Sequence, residues 1–170
     1  YNRPIMGFYP PGSTFKTLNG LIGLQEKVIS STTGFSCNLG YSLGPIFVKC
    51  RPHPPASTLS VGLQHSCNAY FCNTFKRIID NSKYKDEDAS LAKWNDYLFS
   101  FGLGKKTGID VPNEQSGLVP TPEYYKKVYK GWRWKSSTII SLSIGQGEIA
   151  TTPLQLANIT AAISNRGWWY

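Results

Sequence analysis

Tyr9-Pro10-Pro11-Gly12-Ser13-Thr14-Phe15-Lys16 is a breaker cluster running straight into the first turn of a helix. Pro10, Pro11 and Gly12 make the approach rigid, and Phe15, Leu18, Leu21, Ile22 and Leu24 then recur at helical spacing. The pattern predicts a buried helix from near Ser13 to Lys27. Ser13 and Lys16 stand three residues apart, so they share a face. The start of a helix supplies free backbone N–H groups and a positive potential, which favour an alkoxide at Ser13. The same field, with desolvation, lowers the pKa of a partly buried Lys16, so a neutral amine can take the serine proton. Ser-x-x-Lys is short, and a plainer reading competes: Ser13 as a helix cap and Lys16 as a solvated side chain. The apolar stripe through Phe15 and Leu18 weighs against it.

Ser66-Cys67-Asn68 is the second constellation. A hydroxyl and a carboxamide two residues apart both face a cleft if the backbone turns between them. The serine can then relay a proton and the asparagine can hold a substrate amide. Ser and Asn also favour turns, so the triplet gains weight from its position between two helical patterns.

The rest of the chain reads as helix-rich. Thr58 to Leu63 forms a short helix capped by Ser57 or Thr58, and Tyr70 to Ile79 carries a stripe through Phe71, Phe75, Ile78 and Ile79. Lys83 to Asp88 reads as a charged turn, and Leu91 to Phe101 as an amphipathic helix stopped by Gly102 and Gly104. Residues 30–57 have no sustained period and read as a long irregular excursion, and residues 104–136 read as extended or looped. Thr138 to Ile144 is a strand or a buried turn. Thr152-Pro153-Leu154-Gln155 opens a last helix with a capping box and a first-turn proline, and Asn165-Arg166-Gly167 ends it. No internal repeat or linker divides the chain.

The 170 residues suffice for one domain of ordinary size, and 41% hydrophobic against 16% charged residues excludes wholesale disorder. The net charge is +8 and the aromatic share is 14%. A basic, aromatic chain suits a soluble surface or an acidic partner, and the run Tyr124 to Lys135 concentrates both properties. That run holds no recognised nucleic-acid motif and reads as a solvated surface segment, with partner or membrane-surface contact as the other use. Gly104-Lys105-Lys106-Thr107 lacks the spacing of a phosphate loop. No apolar run is long enough to cross a membrane. Tyr1 at the start and the apolar Trp168-Trp169-Tyr170, of a kind that enters a buried strand, lead us to expect a piece cut at both ends.

Four cysteines permit two disulfides, but Cys37, Cys50 and Cys67 lie in a region that also holds His53 and His65. Cys50-Arg51-Pro52-His53 is a tight C-x-x-H pair, and Cys37, Cys50, His53 and Cys67 make a Cys3His set of the closed, structural zinc type. Such a clip would pin the 30–57 excursion beside Ser66-Cys67-Asn68. Free thiols or a Cys37–Cys50 disulfide compete with it. His65 is a reserve ligand, and Cys72 reads as a small buried helix residue.

Taken in order, these motifs resemble the penicillin-binding transpeptidases. Tyr9 to Lys16 resembles their nucleophile motif and Ser66-Cys67-Asn68-Ala69-Tyr70-Phe71 their second motif. Phe101-Gly102-Leu103-Gly104 through Asp110, and Ile144-Gly145-Gln146-Gly147 through Ala157, resemble the stretches that follow. The nearest branch is the elongation-type class B group, penicillin-binding protein 2. Lys106-Thr107-Gly108 mimics the family's third motif but precedes the Gly-Gln-Gly segment, which the true motif follows, so it is not that motif.

The resemblance implies a mainly α chain: the helical portion of an α/β transpeptidase fold, with the central antiparallel sheet largely missing. Residues 1–170 would be one partial transpeptidase domain with no second domain, doubtfully stable and poorly active alone. It implies a serine-type D-Ala-D-Ala transpeptidase that cross-links peptidoglycan stem peptides and is acylated by β-lactams. Ser13 would be the nucleophile, Lys16 the base, Ser66 the proton shuttle and Asn68 the substrate-amide ligand. No cofactor is implied for catalysis. Some relatives carry a zinc site beside the second motif, which supports the Cys3His reading. The parent would sit in the bacterial inner membrane through an anchor outside this chain. Its catalytic domain would be periplasmic, with cell-wall elongation proteins as partners and no nucleic acid. A D,D-carboxypeptidase or β-lactamase with the same nucleophile, or a non-catalytic zinc-clipped scaffold, are the alternatives.

Overall fold

A computed structural model describes residues 1–130 and 132–167; the strand expected of Trp168-Trp169-Tyr170 lies outside these. The elements run α1 (Arg3–Met6), a 3₁₀ turn (Gly12–Phe15), α2 (Lys16–Gln25), β1 (Gly40–Leu43), β2 (Ile46–Lys49), α3 (Leu59–Gln64), α4 (Asn68–Ile79), α5 (Glu87–Ser100), α6 (Pro122–Val128), a second 3₁₀ turn (Ile140–Ile144) and α7 (Pro153–Ser164). The fold is mainly α. Among the described residues the only sheet is the antiparallel pair β1–β2.

Helix α4 is the spine. Its stripe of Tyr70, Phe71, Phe75, Ile78 and Ile79 is fully buried, and it packs on α2, α5, the hairpin and the second 3₁₀ turn. Asn19 of α2 ties three of these elements together. Its Nδ2 donates to the carbonyls of Leu142 (3.2 Å) and Ser143 (3.0 Å), and its Oδ1 accepts from the Trp94 indole (2.9 Å). Trp94 in turn meets Phe15 and Phe75 edge-on, with ring centroids 6.0 and 5.4 Å away. A buried amide with every partner present is a register pin, because any slip strands polar groups without water.

Several sequence expectations hold and several need correction. Thr58 caps α3 through Val61 N, and Thr152 and Gln155 form the capping box of α7. The helix expected near Ser13 instead begins with a 3₁₀ turn and becomes α-helical at Lys16. Ser13 caps nothing; the Thr14 hydroxyl takes the Pro11 carbonyl at 2.6 Å. The 30–57 excursion contains the β1–β2 hairpin, closed by Gly44 at φ +57° and Pro45. Exposed Phe47 between half-buried Ile46 and Val48 hides the period of two, and a first-position glycine supplies the positive φ of the tight loop. Helix α5 starts four residues early, where Asp86 caps Ala89 N at 2.8 Å and Glu87 and Asp88 favour the helix dipole. Helix α6 was expected as loop, although Thr121-Pro122-Glu123 carries the same start signal as Thr152-Pro153. Its Tyr125 is buried against Tyr124, Tyr129 and Trp134, so the basic run is not wholly solvated. Thr138 to Ile144 is the buried turn rather than the strand. A cavity of about 350 Å³ lies between α2, α5 and α7, bordered by Leu21, Tyr97 and Ile163.

Just past the C-terminal end of α2, buried Glu26 accepts from Tyr97 Oη (2.5 Å), Tyr84 Oη (2.8 Å) and Lys83 Nζ (3.4 Å). Burial pushes its carboxyl up, but the two phenols and the lysine prevail and hold it below 4.5. A depressed folded pKa adds stability above the unfolded value, lost as pH falls through the folded one. Thermal melts across pH 2–7 should therefore show a shallower acid-side loss of Tm in Glu26→Gln than in the wild type. Parallel curves would contradict this.

Candidate active site

Ser13 sits exposed in the 3₁₀ turn, whereas Lys16, one turn on, is 2% exposed. The turn is held from outside by Gly145, whose carbonyl accepts from Gly12 N at 2.8 Å. Lys16 Nζ donates to Ser66 O (2.7 Å), Ser66 Oγ (2.9 Å) and Asn68 Oδ1 (2.5 Å). Ser66 reaches this position in a left-handed conformation (φ +50°), which lets its carbonyl and hydroxyl both face the amine. Asn68 is the first residue of α4, and its Nδ2 donates to Lys49 O at 2.7 Å, bridging the amine to the end of β2. Ser13, Ser66 and Asn68 open onto one cleft of about 850 Å³.

Burial pulls Lys16 below its ordinary 10.5, with the sulfurs of Cys50, Cys67 and Cys72 opposing. The three acceptors satisfy the three protons of an ammonium. Loss of one proton leaves a lone pair facing the Ser66 hydroxyl, which can then donate in return. The arrangement can therefore pass a proton between Lys16 and Ser66 without moving a heavy atom.

Beside the cleft, the donor atoms of Cys37, Cys50, His53 and Cys67 lie within 4.8 Å of one another. All four cysteines of the chain are free. His53 Nδ1 donates to Pro54 O at 2.6 Å, leaving Nε2 buried without a partner. Cys50 Sγ accepts from Ala69 N and Cys67 Sγ from Tyr70 N, both at 3.3 Å, at the start of α4. Burial pushes the Cys67 thiol up to about 12, a cost that a cation held between the sulfurs would offset. The donor set, the orphaned Nε2 and the carbonyl behind Nδ1 fit a tetrahedral zinc. His65 stacks on His53, with centroids 5.5 Å apart, and is outside the set. Cys72 is buried in α4 against Ser143 Oγ (3.2 Å). Lys106-Thr107-Gly108 lies in irregular backbone, where Thr107 N and Oγ1 (both 2.6 Å) and Gly108 N (3.1 Å) bind the buried Glu114 carboxylate.

The sequence pattern of the penicillin binding protein transpeptidase domain matches residues 1–170. The chain belongs to this family. It is 35% identical over 167 residues to the peptidoglycan D,D-transpeptidase MrdA of Acinetobacter baumannii, covering 98% of this chain and 24% of that protein. It is 31% identical to the Haemophilus influenzae protein of the same name, covering 98% of this chain and 24% of that protein. Among solved structures it resembles Pseudomonas aeruginosa PBP2 in complex with WCK 5153 (TM-score 0.81, 29% identity, 100% of this chain and 37% of that one). It also resembles PBP2 of Helicobacter pylori in a complex with MreC (TM-score 0.82, 28% identity, 98% of this chain and 29% of that one). The chain thus spans about a quarter of the length of these curated relatives. Among the described residues of this transpeptidase-family chain, no helix is long and apolar enough to cross a membrane.

Two residues that hold the core and the nucleophile turn of this transpeptidase-family chain are not singled out from the sequence. Asn19 was detectable as a polar residue on the apolar face of α2, one turn after Phe15. Gly145 stands in a recognisable Gly-Gln-Gly segment, but its contact with Gly12 joins positions distant in the chain.

Proposed function

We propose that the protein is a peptidoglycan D,D-transpeptidase working through an acyl-enzyme on Ser13. The observation that carries this reading is a buried lysine bonded to Ser66 and Asn68 at the back of the cleft that Ser13 opens onto. Neutral Lys16 takes the Ser13 proton as Oγ attacks the carbonyl between the two terminal D-alanines of a stem peptide. The C–N bond breaks, and Ser66 passes the proton from Lys16 to the departing D-alanine amine. Asn68 holds the substrate amide, and the Ser13 N–H contributes to the oxyanion hole. The amine of a neighbouring stem peptide then attacks the ester, forming the cross-link and restoring the Ser13 hydroxyl. A β-lactam follows the same first step and stays bound.

The test is intact-mass measurement of the complete protein after exposure to a penicillin. One covalent adduct, absent in Ser13→Ala, is the expected result; no adduct in the wild type would overturn the reading and favour the scaffold alternative. Product analysis with an added amine acceptor separates transpeptidation from hydrolysis by a carboxypeptidase or β-lactamase. A bacterial inner-membrane anchor outside this chain and a periplasmic catalytic domain belong to the same reading. So do elongation proteins as partners, supported by the H. pylori relative solved with MreC.

Within this reading Cys37, Cys50, His53 and Cys67 hold a structural zinc, favoured by the orphaned His53 Nε2 and the clustered sulfurs. A bound zinc would cross-link the hairpin region to the start of α4 and take no part in acyl transfer. Metal analysis should find about one zinc per chain, lost in Cys50→Ser, and chelation should lower Tm. Metal-free protein with a Tm indifferent to chelator would sink this assignment.

A further inference from the structure

We infer that the cleft of Ser13 selects an acyl donor carrying a free carboxylate in addition to that of its leaving residue, and that Arg51 reads it, with Lys49 beside it. The inference rests on the acyl-enzyme reading above and adds a substrate property to it.

Both cations line the cleft that holds Ser13, and no Asp or Glu lines it among the described residues. Neither Lys49 nor Arg51 has an acidic side chain within ion-pair distance among the described residues, unlike Lys76, Lys126 and Arg133. Two positive charges without counter-charges on a concave wall focus a field into it. Arg51 adds a planar fork that matches a carboxylate with two parallel hydrogen bonds, which an ammonium cannot do.

Their backbone is held in place. Lys49 O accepts from Asn68 Nδ2 (2.7 Å), Cys50 N donates to Leu39 O (2.8 Å), and Cys50 Sγ accepts from Ala69 N (3.3 Å). These bonds fasten Lys49 and Cys50 to Leu39, just before β1, and to the first turn of α4, the turn that begins with Asn68. The backbone that carries the two cations is therefore anchored beside the side chain proposed to grip the substrate amide, while the exposed Lys49 and Arg51 side chains stay free to reach a ligand in the cleft. A leaving residue's carboxylate departs with the leaving amine, whereas a carboxylate on the retained part of the donor stays with the acyl group through both half-reactions. That second group is the one these cations can use for selection.

Benzylpenicillin and carbenicillin test this, because they differ by one carboxylate on the acyl side chain. The measurement is the ratio of their second-order acylation rates on the complete protein. Arg51→Ala should lower the carbenicillin-to-benzylpenicillin ratio about three- to tenfold, as expected for an exposed charge pair with fork geometry. Arg51→Glu should lower it further and Arg51→Lys should restore part of it. Raising salt should shrink the wild-type ratio towards that of Arg51→Ala. A ratio equal in wild type and Arg51→Glu, with both drugs still labelling Ser13, overturns the inference and spares the acyl-enzyme reading. Failure of both drugs to label wild-type Ser13 overturns both.

Discussion

Lys16→Met is expected to slow acylation of Ser13 by about 10³-fold, the scale of a lost general base, without lowering Tm. Methionine fills a similar volume and removes an amine that is buried at some cost. The three acceptors it abandons belong to Ser66, which is exposed, and Asn68, which is half-buried, so water from the cleft can replace the amine. Activity and stability should therefore separate, the pattern of a site that gives up stability for function. The pH profile supplies a second readout. Burial penalises the charged form of Lys16, so the neutral amine accumulates below the ordinary 10.5. Acylation by the wild type should rise with pH through that depressed value, and Lys16→Met should lose this limb. Stopped-flow acylation by a chromogenic β-lactam measures both effects. A variant within tenfold of the wild type, with the rising limb intact, would remove Lys16 from the base role.

Gly145→Ala is the second large effect. Gly145 has φ +68°, where an alanine is strained, and an added Cβ would stand 2.3 Å from Gly12 O and 2.7 Å from Phe15 Cβ. The first obstacle is backbone of the nucleophile turn, which cannot rotate aside as a side-chain tip can. The same turn depends on the Gly12 N–Gly145 O bond, so relief of the clash displaces Ser13. We expect a loss of about 3 kcal/mol or more, from left-handed strain plus overpacking, and slower acylation of whatever folds. Gly44→Ala is the control: φ is +57° but nothing lies within 4 Å of the added carbon. It should cost only about 1 kcal/mol, from strain alone. Chemical denaturation of both variants compares them, and equal losses would show that the contact with Gly12 does not matter.

What could be read in advance follows from how local each signal is. The Ser13–Lys16 face, the caps at Thr58 and Thr152 and the stripe of α4 depend on residues within one or two turns. Short-range periodicity exposes them. Helix α6 carried an equally local start signal in Thr121-Pro122, but surrounding Gly, Pro and charge masked it. The hairpin was hidden because Phe47 points an aromatic ring to solvent, at 58% exposure, and breaks the alternation that marks a half-buried strand. The Cys3His set was legible as residue types, yet nothing in the spacing brings Cys37 to Cys67; β1–β2 and the start of α4 do that.

By itself the sequence determined that a serine and a lysine share one helical face, that a Ser-Cys-Asn turn precedes a buried helix, and that the chain is mainly α. Only the tertiary structure decided that Lys16 loses its water and finds Ser66 and Asn68 some fifty residues on. It likewise decided that Gly145 braces the turn of Ser13 and that Lys49 and Arg51 face that serine's cleft. The physical reason is the same in each case. Desolvation and long-range hydrogen bonds depend on which surfaces meet, and that is a property of packing rather than of neighbours along the chain.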